Sequence, residues 1–559
     1  MYLKQNFMNG VVILFFCIII LLRFAGIPDQ YANLFNFYNT PNAFPTDIYM
    51  NNSFFMESSA YFTLNKFLRL EESDLLSLGW YFAVALIGAF FLYLIIRDYF
   101  KVREPLTILL IILCVGFLGR DIPVNTWGGI IPMQPGTATM FSKTLGIIVL
   151  YCLLTRRYWL ASITMTVVFS IHILGDFILF PIFVFYICFT KNLKARDILS
   201  LIIPVAFLVF KLASSDMVSS SFSDSDILFD AVMIYGRQDS DFLYQSPLAL
   251  ILLVISFFAF PILVRQNIQF VPRLNELLRS ILIVSVLLVI VSSIYTLIGH
   301  ELIKINMFML LAPVRALNYY TLFFYLVSFV WIISNEKLNP AEKACLLIGL
   351  ILLHGENLKG ILFPLIIVTG GFATRISSRL ISFVDNRFTF HHITILLLFV
   401  VTLGQIERGG VYNLVFNDLA WKYLNRWTVH FHSPPHVWHS YYSLRKHEKD
   451  FPLLAIYLNN QGVPSFDNYL NIVGRKSFFI ENGNHFYFNA KLWKEHLIRE
   501  EIVKKILKSL NEGIPLSQKV LNQLQARKMG IMVPNKLAKY FSPSLKRKIF
   551  GSYKLILFN

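Results

Sequence analysis

Apolar segments alternate with short polar connections over the first 407 residues of the chain. A helix that crosses a bilayer needs about 20 mostly apolar residues, and thirteen of these segments are long enough or nearly so. They run at about 10–27, 77–97, 105–119, 140–155, 158–175, 176–190, 198–213, 247–264, 277–299, 318–334, 342–354, 358–373 and 391–407. The pattern predicts an all-α polytopic membrane domain of thirteen transmembrane helices over residues 1–407.

Positive charge is distributed unevenly among the connections of this domain. With the N-terminus in the cytoplasm, each predicted inner loop contains at least two Lys or Arg residues, whereas the outer segment 214–246 contains six Asp residues and only Arg237. Inner loops of membrane proteins are enriched in Lys and Arg. The first apolar segment is followed by Arg23 and Phe24 rather than by a small-residue cleavage site, so we expect it to remain as a span. Thirteen crossings from a cytoplasmic N-terminus then place residues 408–559 on the outer side of the cell membrane.

Residues 408–559 form a segment of different character. They contain 23 Lys and Arg against 9 Asp and Glu, so about fourteen of the seventeen net positive charges lie here. Helical periodicity occurs at 491–511 and 515–529, and the alternating runs LLAIYL and KSFFIE are typical of strands. We expect a small α+β domain outside the membrane. With one span more or fewer, this basic domain would instead lie in the cytoplasm beside anionic lipid.

Composition narrows the class of protein. Of the 559 residues, 56% are hydrophobic and only 15% are charged, and the mean hydropathy is +0.59. Soluble proteins average about 25% charged residues, and disordered chains are poor in large apolar residues, so both classes are excluded. The five cysteines lie within apolar runs and form neither a disulfide framework nor a CxxC pair.

The first predicted outer loop, residues 28–76, is long and rich in Phe, Tyr and Leu at helical spacing. Such a segment is typical of amphipathic helices that lie on the membrane surface. Asp47, in the sequence FPTDIYM, would then lie at the boundary between membrane and water. Asp immediately before an apolar helical run is also a common N-cap, here for a helix that begins at Ile48.

Several motifs resemble those of a known group of membrane enzymes. They are PDQY with the following PTDIYM, the stretch 127–177 from WGGIIPMQ to SIHILGDF, LAPVRALNYY, and GRKSFFIE. With thirteen spans, a large first outer loop and an outer C-terminal domain, the chain is similar to the GT-C superfamily of membrane glycosyltransferases. These enzymes use polyprenyl-phosphate-linked sugars. The chain looks most like a set of poorly characterised bacterial GT-C-like proteins.

The resemblance implies roles for individual residues. In GT-C enzymes an acid of the first outer loop deprotonates or positions the acceptor, and Asp47 occupies the matching place. A carboxylate within hydrogen-bond reach can accept the proton of an attacking hydroxyl. Asp121, in the second outer loop, is the candidate second acid, although its neighbour Arg120 offers a simple local partner. Arg475 matches a strand-end Arg that points back toward the membrane cavity in the family.

The phosphate of such a donor requires cations at the membrane surface. Arg315 lies just before the tenth span on the outer side, and its guanidinium group suits phosphate oxygens. Lys304 and His300 lie in the same loop. Arg315 could instead extend along the membrane edge to reach water. His172, at the outer end of the fifth span, is an ionisable residue near a membrane edge and so a candidate for substrate binding, or else a packed histidine.

No cofactor is predicted, and a metal site is not supported. Metal-dependent GT-C members carry an Asp-x-Asp motif, whereas here that spacing occurs only at 224–226 and 239–241, in a loop typical of a solvated acidic segment. Four His residues lie within 427–442, but they lack the helix and the acid of a zinc hydrolase. That aromatic segment favours an interfacial belt or a sugar-stacking surface. Nucleic acid is not an expected partner, because no binding motif is present.

The leading hypothesis is a bacterial inner-membrane glycosyltransferase that transfers a sugar from a polyprenyl-phosphate donor to a glycan, lipid or protein acceptor. Two other functions stay open. One is a non-catalytic protein that binds or translocates a lipid-linked glycan. The other is a polytopic solute transporter.

Overall fold

The computed structural model describes two compact units of the chain. Apart from isolated positions between 60 and 68, at 229 and 233, and between 338 and 347, the described residues are 74–118, 138–172, 176–190, 194–213, 241–245, 247–266, 270–299, 313–336, 454–457, 477–478, 490–526, 529–550 and 553–558. The first unit contains the described helices between residues 77 and 334, and the second contains the helices and the sheet between 454 and 557. The predicted boundary between residues 407 and 408, and nearly all of the first outer loop, lie outside the described residues.

The first unit is helical throughout its described part. Its helices are α1 Asp74–Asp98, α2 Pro105–Leu118, α3 Ala138–Leu154, α4 Tyr158–Ile171, α5 Leu179–Phe189, α6 Ala195–Leu199, α7 Ile202–Ala213, α8 Pro247–Gln266, α9 Pro272–Ile294, α10 Pro313–Ala316 and α11 Asn318–Ser334. Nine of the thirteen predicted apolar segments fall on these helices, so their prediction as helices is confirmed. The segments at 10–27, 358–373 and 391–407, and most of 342–354, lie outside the described residues.

In the part of the chain that the structure describes, three stretches of helix are long and apolar enough to cross a membrane: Ala249–Gln266, Pro272–Ile298 and Pro313–Ser334. Shorter apolar helices occur at Phe141–Leu154, Tyr158–Ile171 and Leu179–Phe189. Some of the apolar side chains on α8 and α9 face outward, with Phe258 72% and Val291 51% exposed. An outward apolar surface on a helix bundle is what contact with lipid requires. The number of crossings stays a prediction.

Helix α11 lies at the centre of the first unit. In an 18-residue apolar window within Pro313–Ser334, 83% of the residues are buried, against 17% for Ala249–Gln266 of α8. Tyr320 of α11 packs against Phe257 and Phe260 of α8, with ring centroids 4.8 and 5.6 Å apart. Its hydroxyl also forms a hydrogen bond of 2.8 Å with Ser256 Oγ. The central position of α11 brings its polar N-terminal end among the neighbouring helices.

The second unit combines a five-stranded sheet with two helices. Its elements are β1 Leu454–Tyr457, β2 Ser477–Phe478, α12 Ala490–Glu512, α13 Gln518–Ala526, β3 Gly530–Pro534, β4 Lys546–Phe550 and β5 Tyr553–Leu557. The strand order is β2-β1-β3-β5-β4. Strand β1 pairs in parallel with β2 and β3, whereas β5 pairs antiparallel with β3 and β4. The predicted small α+β fold is therefore confirmed, including both helices and the first two strands.

The core of the second unit lies between the sheet and its helices. All five residues of β3 are buried, as expected for a central strand covered on both faces. From α12, Ile502, Val503 and Ile506 contribute to this core, together with Val520 and Leu524 of α13. These positions recur every three or four residues and thus form one face of each helix.

Polar side chains continue the buried face of α12 toward its N-terminus. The rings of Trp493 and His496 stack with centroids 5.3 Å apart. Arg499, also buried, donates a hydrogen bond of 2.9 Å from Nε to Glu495 Oε1. The first half of the helix therefore buries polar rather than aliphatic groups.

His496 is 1% exposed, and this burial lowers the pKa of its imidazole to about 4 because the charged form loses its hydration. The carboxylate of Glu500 opposes the shift, whereas Arg499 and Lys504 add to it. At neutral pH the side chain is neutral in the folded protein.

We expect the second unit to lose stability as the pH falls from about 6.5 towards about 4, because the unfolded chain then binds a proton on His496 that the folded chain does not. As the pH falls from about 7 to about 5, protonation of His496 in the unfolded chain should lower the free energy of unfolding of the second unit by roughly 2 kcal/mol. Hydrogen exchange of the β3 amides in the full chain, corrected for intrinsic rates, measures the change. A His496→Gln variant should lose this part of the pH dependence; an unchanged slope would contradict the assignment.

Candidate functional site

A cluster of polar side chains lies inside the first unit, where apolar residues predominate. It is formed by Ser142 and Lys143 of α3, by Asp176 in the turn before α5, and by Tyr319 at the start of α11. All four are buried, with no side chain of the group more than 3% exposed. Ionisable groups at such depth in a helix bundle are rare and mark functional positions.

Asp176 is the centre of this cluster. Ser142 Oγ donates a hydrogen bond of 2.5 Å to its Oδ2, and Tyr319 Oη donates one of 2.8 Å to its Oδ1. Both carboxylate oxygens are therefore satisfied by hydroxyl groups from different helices. Lys143 lies within electrostatic range and attracts the carboxylate. A buried carboxylate is tolerated only with such compensation.

Lys143 is also within electrostatic range of a second cation. Arg315, half-buried in the short helix α10, is close enough to Lys143 for the two charges to repel each other. Among the described residues, the ionisable groups linked in this way are one acid, Asp176, and two bases, Lys143 and Arg315. Such an excess of positive charge in an apolar setting favours the binding of an anionic group.

Gly146 of α3 provides the space that Tyr319 occupies. A Cβ at position 146 would overlap the Tyr319 hydroxyl and would lie 2.9 Å from its Cζ. Gly146 lies one helical turn after Ser142, so both face the same neighbour. The glycine therefore allows the phenol to reach Asp176.

His172 and Arg315 are the predicted site residues that the structure describes. His172 ends α4, where its backbone N–H donates to Val168 O at 2.9 Å, and its side chain is nearly buried. It lies four residues before Asp176 in the chain. Arg315 is within electrostatic range of Lys143, as described above. Asp47, Asp121, Lys304 and Arg475 lie outside the described residues, so their roles stay predictions.

The cluster residues Lys143, Asp176 and Tyr319 were not predicted from the sequence as site residues. Lys143 interrupts the apolar run from Phe141 to Leu154, and Asp176 interrupts the run ILGDFILF. A charged residue within a predicted span is by default a candidate site, so this signal was present in the sequence. Tyr319 carries no such signal, because tyrosine is common at span ends.

The described residues contain no group of three or more His, Cys, Asp or Glu side chains that could hold a metal ion. The His-rich segment 427–442 lies outside them.

No protein-family model, curated protein or solved structure matches the chain.

A Gly146→Ala substitution should destabilise the protein by about 1–3 kcal/mol, because the added methyl group displaces the Tyr319 phenol from Asp176. Thermal unfolding of the detergent-solubilised protein measures this cost. In a Tyr319→Ala background the same substitution should instead stabilise by roughly 0.5–1 kcal/mol, as Ala does over Gly within a helix. Equal effects in both backgrounds would show that the two residues are not coupled.

Proposed function

We propose that this chain is a multi-pass membrane glycosyltransferase of the GT-C type, which takes a sugar from a polyprenyl-phosphate donor at the outer face of a bacterial cytoplasmic membrane. The observation that carries the proposal is the buried pair of Asp176 and Lys143 among apolar helices, with the half-buried Arg315 within electrostatic range of Lys143. The motif resemblance to GT-C enzymes supports the same class. The three helices of the described residues that are long and apolar enough to span a membrane are consistent with this setting.

The two cations suit the phosphate of the donor. The guanidinium of Arg315 can form two parallel hydrogen bonds to phosphate oxygens, whereas Lys143 acts as a point charge. Asp176 accepts hydrogen bonds from Ser142 and Tyr319 and attracts Lys143. We assign Asp176 a positioning role: it holds the ammonium group in place for the anion.

The reaction assigned to this site moves one glycosyl group. The acceptor hydroxyl attacks the anomeric carbon, the bond from that carbon to the phosphate oxygen breaks, and polyprenyl phosphate leaves with the bonding electrons. Asp47 takes the proton of the hydroxyl. Asp121 is the second acid, and His172, Lys304 and Arg475 are further substrate contacts in this proposal.

Transfer from a radiolabelled polyprenyl-phosphate hexose, measured in membranes that contain the full chain, tests the proposal. Asp47→Asn should lower kcat by about 10²- to 10⁴-fold. Lys143→Met should chiefly raise KM for the donor, because it removes an interaction with the phosphate. Lys505→Met, at an exposed lysine on α12, is the matched control and should leave both constants unchanged.

Transfer that survives Asp47→Asn would refute the base assignment, and an unchanged donor KM in Lys143→Met would refute the phosphate site. Two further outcomes would replace the proposal. Donor binding without turnover in the wild type would favour a protein that binds or translocates a lipid-linked glycan. Solute uptake by vesicles that persists after deletion of residues 420–559 would favour a transporter, a function to which a buried Lys–Asp pair is also suited.

The proposed topology has thirteen spans, a cytoplasmic N-terminus and the second unit outside. A reporter fused after Asn559 that is active only outside the cytoplasm should therefore be active. A matched fusion after Arg387, in a predicted inner loop, should be silent. The reverse pattern would refute this topology, through either an outer N-terminus or a wrong span count before Arg387.

A further inference from the structure

The charge of the second unit is concentrated after the end of α12. From Gly513 to the last residue the sequence contains no Asp or Glu and nine basic residues. They are Lys519, Arg527, Lys528, Lys536, Lys539, Lys546, Arg547, Lys548 and Lys554. We call residues 513–559 the acid-free segment. It comprises α13, β3, β4 and β5.

Cations before and within this segment differ in their partners. On α12 each of three lysines forms an i,i+4 ion pair with a glutamate: Lys504 with Glu500, Lys505 with Glu501 and Lys508 with Glu512. In the acid-free segment, Lys536, Lys539, Lys546 and Lys554 form no salt bridge with any described residue. The charge of α12 is therefore largely balanced, whereas that of the acid-free segment is not.

An exposed aliphatic side chain lies among these cations. Ile549, on the edge strand β4, is 71% exposed, and the sheet register sets it opposite Lys554 on β5. The same end of the sheet includes the end of β3 at Pro534, with exposed Lys536 two residues later. Large aliphatic groups beside lysines are typical of surfaces that contact a lipid interface.

We propose that the second unit docks on anionic lipid headgroups through the acid-free segment, with Ile549 inserted at the level of the headgroups. The interaction is independent of the transfer reaction proposed above and requires only that the chain be embedded in a membrane. Anionic headgroups present a dense negative surface to which each nearby Lys or Arg adds attraction. Because apolar helices of the same chain anchor it in the bilayer, docking is an intramolecular event at high effective concentration.

Hydrogen exchange of the full chain in nanodiscs tests this proposal. Discs of phosphatidylcholine alone are compared with discs that also contain phosphatidylglycerol, and the readout is the exchange rate of amides in 535–550. On the anionic discs we expect exchange to slow by about tenfold or more. Raising the salt from about 0.1 M to about 1 M shortens the screening length from about 10 Å to about 3 Å and should abolish the difference.

Two triple variants with the same loss of charge separate docking from general electrostatics. Lys536→Gln/Lys539→Gln/Lys546→Gln should lose the protection, whereas Lys504→Gln/Lys505→Gln/Lys508→Gln should keep it. Equal exchange of the wild type on both discs would overturn the proposal, as would equal losses in the two variants or protection that persists at high salt. Equal protection by soluble polyphosphate on neutral discs would also overturn it, because the partner would then be a free polyanion.

Discussion

The first unit depends on one constraint, which is the burial of the Asp176 carboxylate in an apolar helix bundle. A buried charge is costly unless it is both paired and hydrogen-bonded. Here the compensation comes from two other helices: the hydroxyl of Ser142 and the ammonium of Lys143 on α3, and the phenol of Tyr319 on α11. The three elements must therefore pack in one register, and a glycine at position 146 is what permits the closest approach.

The same constraint links stability to binding. Because Lys143 offsets the charge of Asp176, a variant that removes either one leaves the other buried without its compensation. Loss of activity alone would thus say little about the role of Lys143. Under the proposed function the two effects are separable: a bound donor phosphate would change the surroundings of Lys143 and Arg315, whereas the hydroxyl groups of Ser142 and Tyr319 would remain hydrogen-bonded to the carboxylate of Asp176.

Apolar length was enough to predict nine helical segments, and helical or alternating periodicity was enough for α12, α13, β1 and β2. Strands β3 to β5 were not predicted, because short apolar runs such as GIMVP fit a buried strand and a buried helix equally well. The cluster was missed for another reason. Asp176 meets partners 34 and 143 residues away in sequence, and such pairs arise only from packing. Arg315 and His172 were proposed as site residues because they flank predicted spans, and their roles stay predictions.

The net charge of the second unit says little about its function. The positive-inside rule applies to short loops and does not govern large translocated domains, so the basic character of residues 408–559 fixes neither side of the membrane. The ion pairs that individual cations form with acidic residues are more informative. Cations matched by glutamates along α12 stabilise that helix and contribute little to an outside field. Cations that form no ion pair with a described acid, such as Lys536, Lys539, Lys546 and Lys554, keep their field available to a partner, and tethering of a domain raises the effective concentration at which it meets a surface.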